Sequence, residues 1–200
     1  MTHCKQSLAL LIVLLCTLAN AGLGQTSSEE QILRLKNGVI LVRLSTKEAT
    51  INALNERGLT NKAKEVERYT KLNNLAWIQA FRGEFTFCPV YFFYSNESKK
   101  IRTNELDQVE FLDDALNPTN YKPEKGVDYL IGDITNIDPE YSNATFEALI
   151  IKDAGFNQLK RPFPYYVRTF NTIFFLKRKP NKVVRKMNIK LKEFYQQCSK

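Results

Sequence analysis

The sequence predicts an α/β fold. It is expected to be a single domain with a mixed, partly parallel sheet covered by helices, closing on a C-terminal amphipathic helix. Three observations predict it. Residues 38–44 form a run of Gly, β-branched and leucine residues interrupted only by Arg43, the pattern of a strand buried on both faces. Strand-like runs alternate with helix-like stretches, which favours parallel pairing with helical crossovers. From Pro180, the residues Val184, Met187, Leu191, Phe194 and Cys198 recur at three- and four-residue steps, making one apolar stripe.

The elements follow in chain order. Thr26 to Gln31 is polar, and residues 22–36 are expected to be a flexible leader before a domain spanning 37–200. After the first strand, Ser45 and Glu48 stand three apart as a capping box, so a helix is expected there, ending at Gly58. Thr60 or Asn61 should cap a second helix with Ala63, Val66, Tyr69, Leu72 and Ala76 on its apolar face, stopping at Gly83. Phe85 to Tyr94 reads as a strand in which Pro89 forces a bulge or an edge. The polar stretch 95–126 is expected to hold a short helix over Glu105 to Ala115, then a loop with Pro118, Pro123 and Gly126. Val127 to Ile134 and Phe146 to Lys152 read as strands, and Asp153-Ala154-Gly155 as a turn into a return strand at Phe156 to Leu159. Arg161-Pro162-Phe163-Pro164 is stiff and extended, and Tyr165 to Phe170 and Thr172 to Leu176 favour β structure. The hairpin–helix order after Phe146 is also compatible with a thioredoxin-like domain.

The first 21 residues read as a secretory signal. Lys5 supplies the positive start, Leu8 to Leu18 the apolar run, and Ala19-Asn20-Ala21 an A-x-A cleavage site, with Gly22-Leu23-Gly24 as the alternative. The run is shorter than the roughly 20 residues a membrane span requires. Lipidation at Cys16 is disfavoured by Leu15 in front of it. The expected setting is therefore periplasmic or extracellular. Loss of Lys5 lowers the formal net charge of +8 to +7. A basic exported chain suits an anionic envelope component or an acidic protein, and nucleic acid is not expected as a partner.

The only histidine is His3, inside that leader. Ser-His-Asp and Cys-His nucleophile systems need an imidazole, and so do His-ligated zinc sites. Neither a metal nor another cofactor is expected, and recognition is favoured over catalysis. Removal of Cys4 and Cys16 leaves Cys88 and Cys198 as a candidate disulfide, which would contribute about 4–5 kcal/mol in the chain-entropy view, or as two buried thiols.

Four constellations bear on chemistry. Cys88-Pro89 lacks the second cysteine of a Cys-x-x-Cys redox motif, since position 91 is Tyr91. Asp133, Asn136, Asp138 and Glu140 gather oxygen ligands after a strand, a possible polar site for Ca²⁺ or for acid–base work, without the glycine and spacing of an EF-hand. Lys177, Arg178, Lys179, Lys182, Arg185, Lys186, Lys190 and Lys192 form a basic face with no intervening acid. It is either a solvated helix surface or an anionic-membrane contact. The aromatics of 91–94 and 163–175 fit a core, or a stacking platform for sugars. Asn96 and Asn143 head glycosylation tripeptides.

The segments Asn37-Gly38-Val39-Ile40-Leu41-Val42-Arg43-Leu44, Phe87-Cys88-Pro89-Val90-Tyr91-Phe92-Phe93-Tyr94-Ser95 and Arg161-Pro162-Phe163-Pro164-Tyr165-Tyr166-Val167-Arg168 resemble parts of an uncharacterised family of exported bacterial proteins. The resemblance implies a periplasmic or outer-surface setting and carries no activity with it. The leading expectation is a non-catalytic extracytoplasmic binding or envelope-support domain. The alternatives are a carboxylate enzyme using Asp133 and Asp138, and a degenerate thioredoxin-like module.

Overall fold

The structure is a computed structural model, and it describes residues 27–137, 145–171 and 176–199. The leader through Ala21, the residues Asp138, Glu140 and Asn143, and most of the strand expected over Thr172 to Leu176 lie outside these.

The chain runs α1 (Ser28–Asn37), β1 (Val39–Leu44), α2 (Glu48–Glu56), α3 (Thr60–Glu84), β2 (Val90–Tyr94), α4 (Ser98–Arg102), β3 (Phe111–Leu112), β4 (Pro118–Thr119), β5 (Tyr129–Ile137), β6 (Phe146–Lys152), β7 (Tyr166–Arg168) and α5 (Pro180–Cys198). One seven-stranded sheet orders them β4-β3-β2-β1-β5-β6-β7. β1 pairs in parallel with β2 and β5, and every other pairing is antiparallel. The mixed α/β class is therefore the one the sequence predicts. The order does not establish the narrower thioredoxin-like arrangement.

β1 is central because it is apolar on both faces. Ile40, Val42 and Leu44 join the larger core with Phe92, Trp77, Phe81, Val184, Met187 and Leu191, under α1, α3 and α5. Val39 and Leu41 turn the other way, onto Tyr91, Phe93, Ile131, Ile101 and Phe111. Among the described residues that second face is covered by Ile101 of α4, by Leu106 and Val109 ahead of β3, and by Val127 and Phe156. α5 starts with Pro180, whose missing N–H costs nothing at a helix start, and buries the predicted stripe through Leu191. Asn188 ties it to the loop before β2, its Oδ1 accepting from Thr86 N at 3.0 Å.

Several local expectations fail for physical reasons. The flexible leader is in part a helix. Ser27 Oγ accepts from Glu30 N at 3.1 Å, acids open α1 and bases close it, and Ile32 and Leu35 are fully buried. The capping box does not form: Lys47, in the left-handed conformation at φ 53°, is the N-cap of α2 and makes no side-chain cap. The carbonyl of Ser45 instead accepts from Asn74 Nδ2 of α3 at 2.9 Å.

The apolar face expected for the second helix holds only in part: Ala63 is buried, and Val66 and Ala76 are half-buried. Tyr69 and Leu72 are exposed, and the buried positions are Asn74, Trp77, Ile78, Ala80 and Phe81. The first half of α3 packs on α2, and only its second half reaches the sheet. The strand expected from Phe85 begins at Val90, after Pro89, whose carbonyl accepts from Ile40 N at 3.0 Å. The helix expected over Glu105 to Ala115 is a single 3₁₀ turn at Leu106–Gln108 followed by β3, because Val109, Phe111 and Leu112 are needed against the sheet. The return strand after residue 155 is one bridge, Lys152 to Gln158.

Candidate functional site

β7 is the edge of the sheet. Ile151 N donates to Tyr165 O at 2.6 Å and Thr169 N to Glu147 O at 3.0 Å, so the alternate carbonyls, of Tyr166 and Arg168, point away from β6. Both are taken by cations. Lys190 Nζ donates to Tyr166 O at 3.2 Å and Arg178 Nη1 to Arg168 O at 2.9 Å. Charged caps of this kind protect an edge from adding another strand.

Between this edge and α5 lies a cleft of about 400 Å³, lined by Arg161 to Arg168 together with Arg178, Lys186 and Lys190. It holds five cations, and no carboxylate lines it. The register explains how Arg168 is placed. Its partner on β6 is Ala148, a side chain small enough to let the guanidinium lie 3.8 Å from the centroid of the Phe146 ring. The Phe170 ring follows at 4.9 Å, and Arg178 stacks on that same ring at 4.4 Å. Lys190 sits 5.7 Å from the Tyr166 ring. Arg168, Arg178 and Lys190 are thus held by rings and backbone carbonyls rather than by opposite charge. Among the described residues, none of the five has an ion-pair partner, and the buried Arg168 Nε has no hydrogen-bond partner. Burial lowers the Lys190 ammonium from its ordinary value. The charges of Lys186, Arg178 and Arg161 push it the same way, and Glu193 opposes them least.

The basic face predicted on α5 is therefore sorted. Arg178, Lys186 and Lys190 join the cleft. Arg185 leaves it for Glu84, which accepts Nε at 2.7 Å and Nη2 at 2.6 Å. Lys177, Lys179, Lys182 and Lys192 are exposed and do not line it. Insertion of the α5 stripe into a membrane is overturned by the burial of Val184, Met187 and Leu191. Among the described residues, no helix is long and apolar enough to cross a membrane. Sequence reasoning missed Arg161 and Arg168. The available signal was a pair of arginines bracketing an otherwise apolar aromatic segment.

Among the described residues the other constellations are not assembled as sites. Asp133 is buried, at 3% exposure, with Lys152 Nζ at 2.7 Å and Arg43 Nη1 at 3.3 Å on its two oxygens. Asn136, three residues along the same strand, is exposed on the opposite face, so the two do not share a site. Among the described residues, no group of three or more His, Cys, Asp and Glu is placed to hold a metal ion. Cys88 and Cys198 are free thiols, so the candidate disulfide is absent. Cys88 lies in the turn before β2, not at a helix start. Burial pushes its thiol up to about 12, away from the reactive range. Phe92, Phe93 and Phe163 are core, not a platform. Asn96 is exposed.

No family model matches the chain, and neither a curated protein nor a solved structure matches it.

Proposed function

We propose that this is a non-catalytic recognition domain that works outside the cytoplasm and binds an anionic partner through the cleft between β7 and α5. One observation carries the reading: five cations converge on that cleft with no carboxylate among its lining residues. Like charges held together cost free energy in the free protein, and an anion would relieve it. Three of the five are set in place by rings and carbonyls before any ligand arrives, which limits the entropy lost on binding. The leader-like N-terminus and the formal net charge of +8 support an extracytoplasmic partner such as an acidic envelope component.

The test is calorimetric titration of inorganic pyrophosphate at low and high salt. Binding is expected at low salt and weaker at high salt, as screening requires. The double variant Arg168→Gln with Lys190→Gln should lose at least about tenfold in affinity, the worth of one charge-assisted hydrogen bond. Lys182→Gln, an exposed cation off the cleft, should lose little. Equal losses in the two variants would place binding in the diffuse charge of the chain and end the proposal.

A further inference from the structure

We infer that the cleft takes the dianionic head of a phosphomonoester, with the uncharged body of the same molecule lying over Pro162, Pro164 and Tyr166. This rests on the anion-binding reading above and narrows it.

The charge count favours a dianion. Lys186 and Lys190 of α5, Arg178 ahead of that helix and Arg161 ahead of β7 line one cleft with Arg168, and among the described residues Glu193 is the one acid whose charge acts on Lys190 there. A single negative charge, as on a carboxylate or a sulfate ester, leaves most of that field uncompensated. A phosphomonoester near neutral pH brings close to two charges and three acceptor oxygens. The donors match them in kind. Arg161, Arg168 and Arg178 present planar forks suited to phosphate oxygens, and Lys186 and Lys190 add point charges one helical turn apart.

The size and lining argue for a body beyond the phosphate. The cleft is about 400 Å³, within the range of about 300–1,000 Å³ that small-molecule sites occupy, and an inorganic ion would fill only part of it. Its lining includes the Pro162 to Tyr166 segment, in which Pro162 is exposed and Pro164 and Tyr166 are half-buried. Apolar surface beside a cationic rim fits a sugar ring or a glyceryl group attached to the head. The edge itself offers no place for an added peptide strand, since Lys190 and Arg178 occupy its outward carbonyls.

Two sources share this chemistry: a free sugar phosphate, and the head of phosphatidic acid in a bilayer. The experiment compares glucose 6-phosphate, glucose 6-sulfate, glucuronate and inorganic phosphate by calorimetry at neutral pH, with pyrophosphate as the reference. In parallel it measures sedimentation with phosphatidylcholine vesicles carrying either phosphatidic acid or phosphatidylglycerol. Glucose 6-phosphate is expected to bind at least about tenfold more tightly than the sulfate or the carboxylate, the worth of one charge-assisted hydrogen bond, and more tightly than inorganic phosphate. Preference for phosphatidic acid vesicles over phosphatidylglycerol vesicles, with no binding of glucose 6-phosphate, would also uphold the phosphomonoester and assign it to the membrane. Arg161→Gln and Lys186→Gln, whose side chains make no hydrogen bond among the described residues, should each narrow the preference for phosphate over sulfate without lowering the melting temperature. If pyrophosphate binds but the three glucose derivatives are indistinguishable and the two vesicles are retained equally, the inference falls and the anion-binding reading stands. If pyrophosphate also fails to bind, both fall.

Discussion

Arg178 donates from Nη1 to the backbone carbonyl of Arg168 at 2.9 Å, and both guanidinium groups stack on the ring of Phe170. Two like charges are thereby fixed beside each other without a carboxylate between them. Phe170 itself holds a left-handed backbone at φ 57°, uncommon for a bulky residue, and strain of this kind gathers where function over-determines the backbone.

Phe170→Leu keeps apolar bulk and removes the π face under both guanidiniums. Each such contact is worth about 0.5–1 kcal/mol at a partly exposed site. The two contacts together are worth about 1–2 kcal/mol, so pyrophosphate affinity should fall about five- to thirtyfold while the melting temperature moves by a few degrees. An unaltered titration curve would show that the stack does not organise the cleft.

Gly38 is required by close approach rather than by conformation. It joins α1 to β1, and a Cβ there would lie 2.1 Å from the carbonyl oxygen of Asp128 and 2.9 Å from that of Arg34. Both are backbone atoms, so no side chain can swing aside, and the Asp128 oxygen already accepts from Val39 N at 2.9 Å. Gly38→Ala should lower stability by about 3 kcal/mol or more, at the upper end of overpacking costs, because β1 is the central strand. A chemical denaturation midpoint within error of wild type would refute the close approach. Gly83→Ala, with nothing within 4 Å of the added atom, is the control.

Asp133 serves the fold, not the cleft. Its two oxygens are shared by Lys152 and Arg43, and Arg43 also donates from Nε to Ser98 Oγ at 2.9 Å. This network pins β1, β5, β6 and the start of α4 at the second sheet face. Asp133→Asn preserves shape but leaves two partly buried cations without their counter-charge, for a loss of about 3 kcal/mol in urea unfolding. Pyrophosphate binding to the folded variant should match wild type, since Asp133 does not line the cleft. A variant of full stability would mean that the network is dispensable.

These cases show which parts were legible in the sequence. The α5 stripe and the β1 run were, because one surface of a helix and both faces of a central strand write themselves directly into residue order. The helix expected over Glu105 to Ala115 was not, because Val109 and Phe111 answer to the second sheet face, a long-range demand that overrides local preference. Tyr69 and Leu72 kept the helical period without a sheet to meet it. The cleft was half legible: Lys186 and Lys190 stand four apart on one helix. Arg168 enters only through the β6–β7 register, which sets it opposite Ala148 and beside Phe146, and no spacing along the chain encodes that.

The two thiols give a prediction with a defined pH window. Cys88 packs against the main core, and burial raises its thiol to about 12, with the positive charge of Lys36 opposing in part. Cys198, in the last turn of α5, is raised too. Iodoacetamide at pH 8 should therefore modify the native protein slowly at both positions and at Cys198 first, as read by peptide mass mapping. A mass pattern showing the two linked would contradict the free thiols. The sign for stability follows from the unfolded value of 9.0. The folded state holds the Cys88 proton more tightly, so its contribution is fully present below pH 9 and is lost as pH rises towards about 12. Cys88→Ala lacks that proton, and its stability relative to wild type should improve across the same interval. Parallel stability curves for the two proteins between those limits would mean that Cys88 ionises as freely in the fold as in the open chain.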